Sequence, residues 1–302
     1  MVVCSVYSAA GERLIVFHAG SLSVPFKKIS DEFSKIYPDV DIRLSAAGSR
    51  DCARKISDLK LPCDILASAD YAVINELLIP QYADWNIKFM ANEMSIVYHQ
   101  KSRRNKEINS TNWYEILMDN SVIYGRSDPN SDPCGYRAIF VMQLAEEYYS
   151  KSGLKEAMLK KNTNFIRPKE TDLLALLESG SVDYIFLYRS VAYQHGLNFV
   201  KLPDEINLNN PEMAEFYKSA EVELQGKSPG KLITQRGEPI VYGITIPKSA
   251  SNRCMAIAFV KYLLSPEGQE TLKQTGHSPL RTPLCKEKDK LPDELKEFVS
   301  GE

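Results

Sequence analysis

Residues 13–49 read RLIVFHAGSLSVPFKKISDEFSKIYPDVDIRLSAAGS, and their hydrophobic spacing changes twice. An apolar run from Leu14 to Phe17 ends in the small turn Ala19-Gly20-Ser21. Val24, Phe26, Ile29, Phe33 and Ile36 then recur at near-helical spacing, which puts them on one helix face. After Pro38 the period drops: Val40, Ile42 and Leu44 alternate with charged residues, as in a strand with one face buried. Strand, turn, helix, strand is a βαβ unit, and such units imply a parallel sheet.

The same alternation extends outward. A second helix follows Ser49, and CDILASADYAVINELL (63–78) supplies a strand at Ile65–Ala67 that leads through Ser68 and Asp70 into another helix. FMANEMSIVYHQ (89–100) and GEPIVYGITIP (237–247) read as long apolar strands and are expected to be two crossover segments. Between them lies a second α/β stretch, with a strand at Val122–Gly125, a helix at Cys134–Tyr149, a helix near Leu173–Leu177 and a strand at Tyr184–Tyr188. The chain then returns to the first lobe through CMAIAFVKYLL (254–264) and SPEGQETLKQTG (265–276). In the latter Ser265 caps a helix, Pro266 fits its first turn and Gly276 ends it. The closing LPDELKEFVSGE (291–302) reads as a short amphipathic helix sealing that lobe. The expected division is residues 1–93 with 241–302 in lobe 1 and 94–240 in lobe 2. Two lobes also suit 302 residues, beyond the size at which one core grows comfortably.

Composition narrows the function. A net charge of −2, from 37 basic and 39 acidic residues, creates no field that would gather nucleic acid or an anionic membrane, so the partner is recognised locally. No run of about 18 apolar residues is present to span a bilayer. The amino terminus lacks a basic segment followed by a full apolar stretch, so a secretory signal is absent or already removed. Cys4 is a candidate lipid-attachment residue, with an ordinary strand or tail cysteine as the alternative. The six cysteines form no CxxC pair and the histidines are scattered, which argues against zinc. Isolated buried thiols are the default for them, and a Cys52–Cys63 disulfide is the alternative.

Three strand-to-helix turns share one chemical design: HAGSL with Ser21, AAGSR with Ser49, and DPCGYR from Asp132. The first amides of a helix have no intrahelical partner, small residues permit close approach, and the helix end is positive, so such turns favour an oxyanion. In an open α/β sheet they gather at the carboxyl edge of the strands. Each has a plain structural reading as well, since serine or aspartate before a helix is commonly an N-cap. Glu170, before DLLALLESG, suits a helix dipole, and Tyr188, ending DYIFLY, suits a core. His18 reads as a hydrogen-bonded strand-end histidine.

Taken as an ordered series, FHAGSL, SAAGSR, DILASADY, INSTNWYEIL, DPCGYR, the stretch from LLESGSVDYIFLYRS to NFVKLP, PIVYGITIP and SPEGQETLKQTGHSPL resemble the archaeal-type tungstate/molybdate-binding proteins of ABC importers. The resemblance spans roughly residues 12–285. It implies a type II periplasmic-binding-protein fold: two α/β lobes joined by two crossover strands, with the ligand clamped in a cleft. It further implies that Ser21, Ser49, the Cys134 amide and Tyr188 hydrogen-bond the oxyanion, while Asp132 and Glu170 coordinate its metal. Thr171 and Asp172 are alternatives to Glu170. The implied setting is extracytoplasmic and the implied partner an ABC transporter permease. A monomer suits a shuttle of this kind, and no cofactor is expected beyond the tungstate or molybdate cargo.

The rival within the same fold is a binder of sulfate or phosphate, which would use helix ends without metal-ligating carboxylates. An enzyme is disfavoured because no Walker loop, G-x-S-x-G elbow, H-E-x-x-H helix or dinucleotide fingerprint is present. An intracellular sensor would need a DNA-binding domain for which the chain has no room.

Overall fold

A computed structural model describes residues 12–228 and 230–302 of the protein. Cys4 lies outside the described residues.

In chain order the first elements are β1 (Arg13–Ala19), α1 (Ser23–Ile36), β2 (Asp41–Ala47), α2 (Ser49–Ser57), β3 (Ile65–Ser68), α3 (Tyr71–Leu77) and β4 (Ile87–Ala91). Next come β5 (Met94–Tyr98), α4 (Trp113–Met118), β6 (Tyr124–Ser127), α5 (Pro133–Tyr148), α6 (Leu154–Lys160), β7 (Ile166–Arg167), α7 (Asp172–Glu178), β8 (Tyr184–Tyr188), α8 (Arg189–Gln194) and β9 (Asn198–Lys201). After α9 (Ala214–Tyr217) and the antiparallel hairpin β10 (Glu221–Gln225) and β11 (Leu232–Arg236), the chain runs into β12 (Val241–Thr245), α10 (Arg253–Leu264), α11 (Pro266–Gln274), β13 (Ser278–Leu284) and α12 (Asp293–Lys296).

These elements divide into two compact units. One takes the chain up to Met90 and again from Val241 to Glu302, and the other takes Ala91–Ile240. The first unit holds a six-stranded sheet in the order β13-β4-β12-β3-β1-β2. β1 runs parallel to both β2 and β3, as a βαβ reading requires, whereas β12 pairs antiparallel with β3. The parallel pattern thus stops at the strand that returns from the other unit. The second unit holds a five-stranded sheet in the order β7-β6-β8-β5-β9, with β6 parallel to β7 and β8, and β5 antiparallel to β8 and β9.

The α1 face expected from spacing is the one buried: Phe26, Ile29 and Phe33 are inside, and Phe26 and Phe33 both meet Phe259 of α10 edge-on. Ile36, the last residue of that series, is exposed. On the other side of the sheet a core of Phe17, Cys52, Ile56, Leu66, Val73 and Ile74 packs α2 and α3.

Several expectations change. FMANEMSIVYHQ is two strands, not one, broken at Asn92 and Glu93. The Asn92 side chain accepts the Glu93 amide at 2.9 Å and donates to Ser190 Oγ at 2.8 Å, which draws this backbone out of both ladders. In GEPIVYGITIP only Val241–Thr245 is strand; Pro239 just before it has no amide to give a ladder. The closing helix is confined to Asp293–Lys296 because the chain beyond it bridges back to β13: Ser300 donates to Pro283 O and accepts from the Cys285 amide. Cys52 and Cys63 are both buried thiols outside any disulfide, so the alternative of a bond between them does not hold. Each thiol donates instead to a carbonyl, Cys52 to His18 at 3.6 Å and Cys63 to Ile65 at 3.1 Å. Burial pushes the Cys63 thiol well up, which keeps it protonated and inert. Among the described residues no helix is long and apolar enough to cross a membrane.

Candidate functional site

Both sheets contain a point where the chain changes the direction in which it adds strands. In the first unit β2 lies on one side of β1 and β3 on the other, so the turns after these strands open a crevice at their carboxyl ends. Ser21, Ser49 and Ser68 occur there. Ser21 sits in the middle of the short 3-10 turn Gly20–Leu22 and not at the cap of α1, which begins at Ser23. Its hydroxyl is buried and lies 2.8 Å from the hydroxyl of Tyr242, carried by β12. Ser49 is the first residue of α2, one position inside the Gly48 cap. Its Oγ accepts the Ala69 amide at 2.9 Å, a bond that occupies a lone pair and leaves the hydroxyl proton for another acceptor. That contact ties the turn after β2 to the turn after β3. His18 Nδ1 donates to the Ala19 carbonyl at 2.8 Å, as expected of a strand-end histidine.

A buried cation stands beside these serines. Arg50 follows Ser49 and its Nη1 lies 3.5 Å from Glu76 Oε2. Burial, reinforced by the charge of Asp70 and opposed by Arg50, raises the Glu76 carboxyl to about 7.

The second unit repeats the arrangement with different chemistry. β6 lies between β7 and β8; Asp132 and Cys134 follow β6 at the start of α5, Glu170 follows β7, and Tyr188 is the last residue of β8. Hydrogen bonds join Asp132 to the Cys134 and Glu170 amides, and Tyr188 lies at the end of the neighbouring strand β8. All four are buried. Asp132 is the N-cap of α5, accepting the Cys134 amide on Oδ1 at 2.9 Å, and on Oδ2 it accepts the Glu170 amide at 2.7 Å. The Cys134 amide has no intrahelical partner, as expected, but the cap side chain takes it, so a ligand would share it with Asp132. Yet each carboxylate oxygen has two lone pairs, so Asp132 retains acceptor capacity after both bonds. Pro133 at the start of α5 lacks the amide that the cap could not serve.

Gly135 explains why the motif is compact. A Cβ at this position would sit 2.6 Å from backbone atoms of Ser127, Asp128 and Pro129, so only glycine lets α5 approach the end of β6. Burial raises the Asp132 carboxyl, opposed by the neighbouring Glu170 side chain and by the Cys134 and Glu170 amides that it accepts. Two carboxyls within hydrogen-bonding reach of one another in a dry site do not both ionise readily unless a positive centre joins them. Burial, with the Asp132 and Glu170 charges adding to it, also drives the Cys134 thiol well up, which keeps the sulfur protonated.

Two neighbours were missed in reading the sequence. Tyr242 occurs in the quoted VYGITIP and Arg137 in the quoted DPCGYR, but neither carries a local signal of its role. Arg137 Nη1 donates to the Tyr188 hydroxyl at 2.9 Å, and only the tertiary contact reveals it.

Comparisons with known proteins place the chain in a family. The family model described as bacterial extracellular solute-binding protein matches residues 14–278. An uncharacterized solute-binding protein of Petrotoga mobilis is 48% identical over 293 residues, covering 96% of this chain and 90% of that protein. The molybdate/tungstate-binding protein WtpA of Pyrococcus abyssi is 42% identical over 316 residues, covering 95% and 90%. Among solved structures, the periplasmic molybdate-binding protein of Azotobacter vinelandii superposes with a TM-score of 0.63 at 17% identity, covering 87% of this chain and 98% of that one. The sulfate-binding protein SubI of Mycobacterium tuberculosis H37Rv reaches the same TM-score of 0.63 at 13% identity, covering 89% and 88%. The fold is therefore that of the periplasmic binding proteins, shared by binders of different anions. By its sequence match over nearly its whole length, this chain belongs to the bacterial extracellular solute-binding protein family.

Proposed function

We propose that the protein captures tungstate or molybdate outside the cytoplasm and delivers it, as a monomer, to the permease of an ABC importer. The observation that carries this reading is the buried pair Asp132 and Glu170 at the carboxyl ends of adjacent parallel strands. A carboxylate facing the oxygens of a dianion is repelled in a low-dielectric site, so a sulfate binder gains nothing from two of them. Molybdenum and tungsten in their highest oxidation state are large and electron-poor, and accept extra oxygen donors on passing from tetrahedral towards octahedral coordination. Sulfur does not do this readily. The same pair thus bonds the intended metal and rejects the abundant competitor.

The remaining roles follow from donor inventory. The hydroxyls of Ser21, Ser49 and Tyr188 donate to oxo groups, and the Cys134 amide, shared with Asp132, points to the same charge at the N-terminus of α5. Names of relatives that include molybdate and tungstate support the cargo. The equal structural likeness to a sulfate binder shows that the fold alone does not choose between anions. No cofactor enters, and catalysis is not part of the proposal.

The test is a thermal-shift panel with tungstate, molybdate, sulfate and phosphate. A ligand present at about 1,000 times its Kd stabilises by roughly 4 kcal/mol, so tungstate or molybdate is expected to raise Tm by several degrees and sulfate not at all. Equal shifts with sulfate, unaffected by replacing both Asp132 and Glu170 with alanine, would transfer the assignment to a generic oxyanion binder.

A further inference from the structure

We infer that Arg137 is a positioning residue for ligand capture, acting through Tyr188; the inference rests on the proposed contact of Tyr188 with an oxo group. Arg137 lies on α5 and is 2% exposed, in a helix whose residues from Pro133 to Met142 are all buried. Its guanidinium carbon is 5.8 Å from the ring centroids of both Tyr136 and Tyr188, and Nη1 donates to the Tyr188 hydroxyl at 2.9 Å.

The direction of that bond is fixed by chemistry. A guanidinium has donors and no acceptor, so the phenol oxygen is the acceptor and the single phenol proton is directed elsewhere. Tyr188 therefore cannot spend its proton on Arg137, and in the proposed function it donates that proton to an oxo group. With a carboxylate or carbonyl in place of Arg137 the phenol would spend its proton on that neighbour. The planar fork also has fewer ways to present its donors to the phenol than a flexible, strongly hydrated ammonium.

Calorimetric titration with tungstate tests this in the wild type, Arg137→Gln, Arg137→Lys, Tyr188→Phe and the two double variants, each checked for a cooperative ligand-free melt. Loss of one buried hydrogen bond corresponds to about tenfold in Kd, and this is expected for Tyr188→Phe and for Arg137→Gln. In the Tyr188→Phe background, Arg137→Gln is expected to weaken binding by less than about twofold, because the route through the phenol is already gone. Arg137→Lys is expected to lose affinity as a single substitution and little more once Tyr188→Phe is present; should the Gln variant not fold, the Lys variant carries the same comparison. The inference is overturned if the Arg137 substitutions weaken binding equally in both backgrounds, or if Arg137→Lys binds as tightly as wild type, which would leave a bare charge effect. If Tyr188→Phe alone binds like wild type, the oxo contact of Tyr188 is the part that fails, and the inference falls with it.

Discussion

In the proposed function Asp132 serves the fold and the ligand at once, and the two duties separate experimentally in Asp132→Asn and Asp132→Ala. Its two oxygens accept the Cys134 and Glu170 amides at 2.9 and 2.7 Å, both in buried positions. Alanine removes both acceptors. Hydrogen bonds to a charged group contribute about 1.5–3 kcal/mol each, so the gross loss is about 3–6 kcal/mol. Against it stands the relief of a buried acidic group whose pKa burial has raised, next to Glu170. The net expectation for the ligand-free protein is a loss of about 1–3 kcal/mol for Asp132→Ala. Asparagine keeps one acceptor oxygen and opposes its amide donor to the other N–H, so its loss should fall between wild type and alanine. Tungstate binding should not follow that order. Both variants lack an anionic oxygen for the metal, and each should lose at least about 100-fold in affinity, roughly 2.7 kcal/mol. Denaturant unfolding without ligand and calorimetry with tungstate measure the two quantities. An Asp132→Asn protein that binds tungstate like wild type would refute the metal-ligand role, and an Asp132→Ala protein as stable as wild type would refute the capping account.

Stability also depends on pH through Glu76, which is raised from 4.5 to about 7, so between these values the folded state holds a proton the unfolded state has lost. Stability should therefore fall as pH rises from about 4.5 through 7, by up to about 3 kcal/mol, and Glu76→Gln should flatten the difference between unfolding curves at about pH 5 and pH 8. Gly135→Ala forces a methyl to within 2.6 Å of backbone and should cost at least about 2 kcal/mol together with most tungstate affinity; an unchanged melt would show that α5 tolerates a shift away from β6. Alkylation of the denatured, unreduced protein followed by mass analysis should label both Cys52 and Cys63, and an unlabelled pair would contradict the reduced thiols in the core.

Much of the fold was legible along the chain because each element is short and its period local. The helix face of Phe26, Ile29 and Phe33, the strand Tyr184–Tyr188 and the cap-and-proline start at Ser265 and Pro266 all appear where spacing and capping chemistry place them. The turns with Ser21, Ser49 and Asp132 were also visible as small polar stretches between periodic segments. Local pattern failed where a distant backbone or side chain decides the outcome. The break at Asn92 depends on Ser190, the short closing helix on β13, and the antiparallel sense of β12 on its pairing with the distant β3.

The sequence by itself determined that strands and helices alternate, that two lobes form, and which turns present small or acidic residues, since those properties follow from periodicity and from backbone chemistry within a few residues. Only the tertiary structure decided that Asp132 and Glu170, 38 positions apart, share a hydrogen bond and that Arg137 meets Tyr188 and Ser21 meets Tyr242. These pairings depend on strand order, and strand order is set by how the whole sheet packs.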